Sequence, residues 1–221
     1  MSARAEIAAA DLFPAAPVET IAPGALLLRG FARAEAEALM QAIARIAAAA
    51  PFRHMETPGG FRMSVAMTNC GTAGWITDRR GYRYATCDPL SDKPWPTMPA
   101  LFSDVAARAA AAAGFAAFAP DACLINRYES GARMSLHQDK NERDFAQPIV
   151  SVSLGLTATF LFGGLKRSDR PRRYRLTNGD VVVWGGAARM AYHGIDPLRP
   201  ANDLPGEGHA YRFNLTLRKA L

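Results

Sequence analysis

The second half of the chain is a succession of short β-type runs with no helical pattern between them. From about residue 121 onward, runs rich in branched and aromatic residues are separated by Ser-Gly, Gly-Gly and Asn-Gly turn signals. The predicted strands are ACLINRY, PIVSVSLGL, ATFLF, RYRL, DVVVW and AYRFNLTLR. Six or more short strands without intervening helices predict a β-sandwich or a jelly roll.

Two alanine-rich segments lie ahead of these strands. Residues 32–50 contain neither Gly nor Pro and end at Pro51, and residues 100–113 end before Gly114. We predict that both are structural helices packed on the β core. The expected fold class is therefore mainly β with flanking helices (α+β), built on a jelly-roll core.

The interval between the two helices, residues 51–96, is predicted to be irregular with short strands. Glycines and prolines punctuate it, and it is dense in aromatic residues: Phe52, Phe61, Trp75, Tyr82, Tyr84 and Trp95. A long irregular segment with aromatics and arginines is typical of a binding loop or lid. We expect one domain over residues 1–221, with a lid at about 51–96 and a catalytic β core at about 120–221.

The composition is that of a soluble globular protein, with 49% hydrophobic and 21% charged residues in 221. Apolar stretches fall short of the ~20 residues that cross a bilayer, so no membrane partner is expected. The opening segment MSARAEIAAADLFPAAP carries acidic residues and lacks an apolar core, which predicts no signal peptide. Three cysteines without a CxxC pair suit a reducing compartment, and we expect a cytoplasmic protein.

The net charge of +6 comes mostly from arginine, since only four of the 26 basic residues are lysines. Planar guanidinium groups suit phosphates and carboxylates, although a general arginine bias of the proteome would give the same count. The densest run, residues 166–175, holds six cations in ten residues. Such a run is usually a solvated hairpin tip, and in a nucleic-acid enzyme it is a natural phosphate-contact surface.

Two of the four histidines stand where a metal site would need them. His137 and Asp139 are two residues apart, so extended backbone puts both side chains on one face. His193 follows the strand DVVVW and a Gly-Gly turn. Two histidines and one carboxylate form the facial triad that holds Fe(II) and leaves positions open. A His–x–Asp pair alone is commonly a surface pair, and His193 alone could be a core histidine.

The last predicted strand carries a polar face that helps to decide between a metal site and unrelated histidines. Period-2 alternation puts four polar residues on one side of it: Arg212, Asn214, Thr216 and Arg218. An edge strand with a solvated face would show the same pattern. Two guanidinium groups on one rigid face, with an amide between them, are also what a dicarboxylic keto acid requires.

Several blocks in this order resemble the AlkB family of Fe(II)- and 2-oxoglutarate-dependent nucleic-acid dealkylating dioxygenases, its bacterial members above all. The likeness runs from about residue 51 to 218. The blocks are PFRHMETPGGFRMSVAMTNCG, GWITDRRGYRY, PDACLINRY, LHQDK, PIVSVSLGL, FLFGGLKR, GDVVVWGG, YHGI and RFNLTLR. The fold that this resemblance implies is a double-stranded β-helix, a jelly-roll variant, with a nucleotide-recognition lid.

The resemblance also implies a set of cofactor-binding residues. His137, Asp139 and His193 would be the ligands of Fe(II), with 2-oxoglutarate and O2 as cosubstrates. The distal carboxylate of 2-oxoglutarate would be bound by Arg212, Tyr128 and Asn214. Arg218 and Asn126 would hold the end that chelates the metal. The implied reaction hydroxylates an alkyl group on a base and releases formaldehyde, succinate and CO2, the oxidation being the chemistry of the cofactor.

The implied substrate is alkylated DNA, single- or double-stranded, with RNA as a further candidate. An enzyme that acts on a base must flip it out or use single strands. By resemblance, Trp75 and His137 would enclose the base, Tyr82 and Tyr84 would contact the neighbouring backbone, and Arg167 would contact the substrate. 1-Methyladenine and 3-methylcytosine are cationic, so aromatic faces attract them. Trp75 and the tyrosines could equally be core residues of a β layer.

One position departs from the family pattern. Two residues after the ligand aspartate, where the family often has a second aspartate that reads the base edge, this chain has Asn141. Asparagine keeps an acceptor and adds a donor, but it lacks the negative charge that favours cationic lesions. Glu142 or Asp144 could supply that charge instead.

Three alternatives remain open at the level of the sequence. The enzyme could act mainly on RNA or on a lipophilic alkyl adduct, or it could be a 2-oxoglutarate oxygenase of a small molecule. The last alternative is a catalytically silent jelly-roll binding module. A small-molecule oxygenase would share the triad but would not need the lid blocks or the basic run, and an intact triad with two cosubstrate arginines argues against a silent module. We expect a monomer.

Overall fold

The computed structural model describes residues 17–199 and 210–221. The opening segment used to predict the absence of a signal peptide, up to residue 16, lies outside these residues. The described chain is built from fourteen strands in three antiparallel sheets, two α-helices and a short 3-10 turn at Gly186–Ala188. The prediction of a mainly β fold with two helices is confirmed.

The large sheet has eight strands and forms one wall of the molecule. Its order is β1-β2-β12-β9-β14-β7-β4-β3. The strands, taken in chain order, are β1 (Val18–Ala22), β2 (Ala25–Leu28), β3 (Arg53–Glu56), β4 (Arg62–Gly71), β7 (Ala122–Tyr128), β9 (Ile149–Gly155), β12 (Val181–Trp184) and β14 (Arg212–Arg218). The terminal strand β14 is central, paired with β7 on one side and β9 on the other, so it is not an edge strand.

The small sheet faces the large one and has the order β11-β10-β13-β8. Its strands are β8 (Met134–His137), β10 (Ala158–Phe162), β11 (Arg172–Leu176) and β13 (His193–Ile195). A separate hairpin is formed by β5 (Gly74–Asp78) and β6 (Gly81–Ala85). Two antiparallel sheets that enclose a core agree with the jelly-roll core expected from the sequence.

The two helices, α1 (Ala36–Ala49) and α2 (Ala100–Ala112), cover the outer face of the large sheet. The alternation of each strand decides which side chains meet them. On β14, Leu215 and Leu217 pack with the helices, while Arg212, Asn214, Thr216 and Arg218 line the space between the sheets. The sheet therefore has an apolar outer face and a polar inner face. Neither helix is long and apolar enough to cross a membrane, within the part of the chain described.

The interval 51–96 is more regular than its sequence predicted. β3 and the ten-residue strand β4 belong to the large sheet, where β4 pairs with β7 along six residues. Only the β5–β6 hairpin and the loop that follows stand apart from both sheets. The six strands predicted after residue 120 are present with their ends shifted by at most two residues, whereas β1, β2, β8 and β13 were not anticipated.

Candidate active site

Three neighbouring strands of the small sheet bring the two histidines together. Phe162 of β10 is the register partner of His193 on β13, and His193 is the register partner of His137 on β8. Gly194 allows the last two strands to approach, because a Cβ at this position would lie 2.6 Å from the Met134 carbonyl oxygen. The two imidazole rings are 4.4 Å apart between centroids. Residues 56 positions apart in sequence thus become direct neighbours.

Asp139 completes a cluster with the two histidines. Its Oδ1 lies 3.8 Å from His137 Nε2, and its Oδ2 lies 3.8 Å from His193 Nε2. One ligand atom from each of the three residues can be chosen so that all lie within 4.8 Å of one another. Both Nδ1 atoms face backbone carbonyls, of Ser135 at 2.9 Å and of Ala191 at 3.0 Å. Because a carbonyl oxygen only accepts, the Nδ1 atoms carry the protons and the Nε2 lone pairs face the cluster.

Electrostatics keep His193 and Asp139 in the protonation states that a metal needs. Burial lowers the pKa of His193 to about 4, with a further contribution from His137, so its imidazole is neutral at pH 7. Burial alone would raise the pKa of the Asp139 carboxyl, but the Arg218 guanidinium and the two histidines hold it well below its usual range. Two imidazoles and one carboxylate on one side of a cavity match the donor set of non-haem Fe(II) centres.

The inner face of the large sheet supplies polar groups behind this cluster. The same cavity is lined by side chains of β7, β9 and β14, namely Asn126, Tyr128, Ser151, Arg212, Asn214, Thr216 and Arg218. All of these side chains are at most 8% exposed. All five residues predicted to bind 2-oxoglutarate are therefore brought to one cavity with the candidate metal ligands.

Arg212 is the deepest cation of the cavity, with 1% of its surface exposed. Its Nη2 donates to Ser153 Oγ at 3.0 Å, and its guanidinium carbon lies 6.0 Å from the Tyr128 ring centre. Burial raises the pKa of Tyr128 to about 12, so its phenol stays a hydrogen-bond donor. A buried guanidinium beside a neutral phenol suits the end of a dicarboxylate that lies farthest from the metal.

A hydrogen-bonded group of amides and a hydroxyl lies between Arg212 and Arg218 on the inner face. Asn214 Oδ1 accepts from Asn126 Nδ2 at 3.2 Å and from Thr216 Oγ1 at 2.8 Å. Among the described residues, Asn126 Oδ1 has no hydrogen-bond partner. A buried amide oxygen without a partner is costly, so this group has capacity for a ligand. The inner face thus fits a polar cosubstrate.

At the metal end, Arg218 contacts the candidate ligand directly. Its Nε and Nη2 donate to Asp139 Oδ2 at 3.0 and 2.6 Å. Its Nε also lies 3.5 Å from Glu142 Oε1, and that oxygen accepts from the Tyr84 phenol at 2.6 Å. Burial raises the pKa of Tyr84 well above 10, so this phenol is a permanent donor. Tyr84, predicted to contact nucleic-acid backbone, points its hydroxyl toward the metal end.

Arg189 is a residue of this site that sequence reasoning missed. It is 3% exposed and donates to the Asp139 carbonyl oxygen at 2.7 Å, the Glu142 carboxylate at 2.9 Å and the Gln147 carbonyl oxygen at 3.0 Å. It follows the 3-10 turn that leads to His193, so it joins the segments of two candidate ligands. A single arginine in a turn carries no sequence signal for this role, which depends on how two loops fold over each other.

The β5–β6 hairpin contacts the loop after Asp139 through Trp75–Asn141 and Tyr84–Glu142 hydrogen bonds. We call this contact region, next to Asp139, the mouth of the cavity. Trp75 and Tyr82 stack on the hairpin with ring centroids 5.7 Å apart and planes at 20°. The Trp75 indole nitrogen donates to Asn141 Oδ1 at 3.1 Å. Asn141 and Tyr82 are exposed and Trp75 is half-buried, so none of the three belongs to the interior of a β layer. The structure brings these three predicted substrate residues together.

Arg167 lies in the exposed loop after β10. Its guanidinium carbon is 5.9 Å from the centre of the Tyr192 ring, and Tyr192 immediately precedes His193. Gly163 N donates to the Tyr192 carbonyl oxygen and Tyr192 N donates to that of Gly164. The loop is thereby fixed next to a candidate metal ligand, but Arg167 does not contact Trp75, Tyr82 or Asn141 in the described interactions.

Comparisons with known proteins agree with this architecture. The model of the 2OG-Fe(II) oxygenase superfamily matches residues 24–218. The alpha-ketoglutarate-dependent dioxygenase AlkB of Salmonella typhimurium is 58% identical over 203 residues, which cover 91% of this chain and 93% of that protein. The AlkB homolog of Caulobacter vibrioides is 43% identical over 220 residues, 98% of this chain and 97% of its own. Among solved structures, OsALKBH1 superposes with a TM-score of 0.79 at 28% identity, covering 92% of this chain and 100% of that one.

Proposed function

Because the chain belongs to the AlkB family of the 2OG-Fe(II) oxygenase superfamily and is thus an Fe(II)- and 2-oxoglutarate-dependent dioxygenase, we propose that it removes alkyl groups oxidatively from damaged bases in DNA. The observation that carries the proposal is the cluster of His137, Asp139 and His193. It stands at the foot of a mouth lined by a stacked tryptophan and tyrosine. The expected substrates are 1-methyladenine and 3-methylcytosine, and the alkyl carbon leaves as formaldehyde.

In this proposal the three clustered residues bind the iron and the inner face of β14 binds the cosubstrate. Arg212, with Tyr128 and Asn214, binds the distal carboxylate of 2-oxoglutarate. Arg218 and Asn126 bind the end of the cosubstrate that lies next to the metal. When bound, iron and 2-oxoglutarate supply the oxidation of the alkyl carbon by O2. The side chains orient these groups and keep bulk water out, which is the part that a buried, preorganised cavity contributes.

The substrate base is proposed to enter between Trp75 and His137. A cationic alkylated base gains more from an aromatic face than a normal base does. Asn141 sits within hydrogen-bond distance of the Trp75 indole, so it can meet the edge of the same base. We propose that the lid consists of the β5–β6 hairpin and the loop up to residue 96, since β3 and β4 belong to the large sheet. Tyr82 and Arg167 would then contact the neighbouring nucleotides.

The protein is proposed to act as a monomer in the cytoplasm. One chain already brings the three candidate metal ligands and the five candidate cosubstrate residues to one cavity. Cys70, Cys87 and Cys123 are free thiols, which suits a reducing compartment.

The test is to load the protein anaerobically with Fe(II) and 2-oxoglutarate, add O2 and a methylated oligonucleotide, and follow the mass of the oligonucleotide. The expected result is the loss of one methyl group for each succinate formed. His193→Ala serves as the control that lacks a candidate metal ligand, and it should neither bind iron nor demethylate. Succinate formation without demethylation of DNA would contradict the proposal, and parallel RNA and free-nucleoside substrates would show which other class the enzyme prefers.

A further inference from the structure

A second cavity opens on the surface at the end of β10, the strand next to β13. It is a groove of about 470 Å³, within the range of about 300–1,000 Å³ that is usual for ligand sites. One wall is the end of β1 with its turn, residues 20–23, and the other is the start of the loop after β10. Two arginines stand at the groove, Arg170 and Arg172. The assigned roles above make no use of it.

Strand register places this groove at the rim of the candidate active site. On the small sheet, Phe162 lines the groove and is the register partner of His193. On the large sheet, Ala22 pairs with Ala25, which is in turn the partner of Trp184. The Trp184 and His193 rings are 4.8 Å apart. One wall of the groove is thus linked by register to His193 and the other to Trp184, so both walls begin next to the candidate metal ligands. Neighbouring strands are about 4.8 Å apart, which makes the groove adjacent to the site.

The charges of the basic segment 166–175 are not equivalent. Arg173 donates to the Asp196 carboxylate at 3.0 Å, so its charge is paired. The side chains of Arg170 and Arg172 are exposed, and neither guanidinium has a hydrogen bond or an ion pair among the described residues. Asp169 caps the backbone nitrogen of Lys166 and does not line the groove. Within residues 17–199 and 210–221, the groove thus presents two cations and no acidic side chain.

We propose that this groove binds the sugar-phosphate of a nucleotide that adjoins the target base in the same strand. The proposal rests on the nucleic-acid activity proposed above and names a subsite for it. Apolar and glycine walls suit the sugar, and two unpaired guanidinium groups suit the phosphate. In the small sheet, β10 and β8 lie on opposite sides of β13, which carries His193. The groove is at the end of β10, and the lid contacts the loop after β8 through the Trp75–Asn141 hydrogen bond. A strand whose target base lies at the metal would therefore pass over both.

The experiment compares two neighbouring arginines on one strand. Arg172→Ala, alone and with Arg170→Ala, removes the charges that line the groove. Arg173→Ala is the matched control, since it deletes the same side chain one residue away but one that is paired with Asp196. Binding is measured anaerobically on the protein loaded with Fe(II) and 2-oxoglutarate. The ligands are a methylated mononucleotide, which cannot reach the groove, and a longer single-stranded methylated oligonucleotide.

The groove variants should bind the oligonucleotide about three- to tenfold more weakly for each arginine lost, with a log–log salt slope flatter by about 0.7 per contact. Their affinity for the mononucleotide and the turnover of bound substrate should not change, and Arg173→Ala should behave as the parent. An equal loss of oligonucleotide affinity in Arg173→Ala would overturn the subsite. It would mean that the total positive charge of segment 166–175, and not the groove, attracts the oligonucleotide. Unchanged binding in the double variant would also overturn it. If the parent protein neither bound nor demethylated the oligonucleotide, the proposed function itself would be wrong, and the subsite with it.

Discussion

The inner face of the large sheet and the mouth of the cavity differ in backbone structure and in the burial of their side chains. On the inner face, charged and amide side chains come from strand positions whose direction is set by alternation, and Arg212 and Arg218 are 1% and 5% exposed. At the mouth, Trp75, Tyr82 and Asn141 come from a hairpin and a loop, and they are exposed or half-buried. In the proposed function, the inner face holds one small dicarboxylate in one pose, and the mouth contacts the substrate base.

The difference in burial predicts which substitutions change the free energy of ligand binding most. A buried charge is costly unless a specific group meets it, so each inner-face residue should have a large effect when it is changed. A stacked ring or an amide in contact with water contributes less and tolerates replacement. The comparison predicts a gradient of effects from the sheet outward to the mouth.

The largest effect should come from Arg212→Ala. Removing one partner of a buried carboxylate costs about 2–5 kcal/mol, which corresponds to a rise of roughly thirty- to several-thousandfold in the 2-oxoglutarate requirement. Arg212→Lys should restore only part of this, because a point charge does not reproduce the planar fork. The measurement is succinate formation as a function of 2-oxoglutarate concentration.

Arg127 provides the control on the neighbouring strand. It is the register partner of Phe213 on β7, and its guanidinium lies over the Phe52 and Tyr211 rings on the outer face of the sheet. Arg127→Ala should lower the melting temperature without changing the 2-oxoglutarate requirement. If it raised that requirement as much as Arg212→Ala does, the contrast between the two faces of the sheet would be wrong.

An intermediate effect is expected from Arg189→Met. Arg189 does not line the cavity but fixes the Asp139 carbonyl and the Glu142 carboxylate. Loss of such a supporting residue typically costs ten- to a hundredfold in metal affinity. Anaerobic titration with Fe(II) measures this without reference to turnover.

Since the change leaves part of the charge of Glu142 without its partner, the double variant Arg189→Met with Glu142→Gln tests the same role if the single variant folds poorly. A single variant that folds normally and binds iron as tightly as the parent would limit Arg189 to a role in stability.

The smallest effect should come from Asn141→Asp at the mouth. Aspartate can still accept from the Trp75 indole, so the hairpin should keep its position. The added charge near a cationic base contributes about 1 kcal/mol, or some fivefold, in favour of 1-methyladenine and 3-methylcytosine over a neutral lesion such as 1-methylguanine. The measurement is the ratio of kcat/KM for a cationic and a neutral lesion in parent and variant. A ratio that stays the same would show that position 141 does not read base charge.

The sequence allowed the inner face to be predicted because a period of two is a property of the strand itself. Once RFNLTLR is taken as a strand, Arg212, Asn214 and Arg218 must share a side. Which side faces the cavity is decided by Leu215 and Leu217, which need an apolar partner. The two long alanine-rich helices were predictable for a similar reason, because helix propensity depends on the residues of the segment itself.

Other features could not be predicted because they depend on distant contacts. β13 has three residues and β8 has four, so neither shows a periodic pattern, although they carry both histidines. β4 is interrupted in sequence by polar residues such as Thr68 and Asn69, which are buried because they bond to Ala50 O and to the backbone of Trp75. The role of Arg189 arises only when two loops meet.

The hydrogen bond between Tyr84 and Glu142 has a consequence for how often the hairpin opens. For β6 to lift away, the Tyr84 phenol must leave a buried carboxylate that also faces Arg218 and Arg189. A hydrogen bond to a charged group contributes about 1.5–3 kcal/mol, so this contact alone favours the closed hairpin over the open one by about ten- to a hundredfold. On the proposed route for the base, entry requires the open hairpin, and amide exchange along β6 reports the size of the open population.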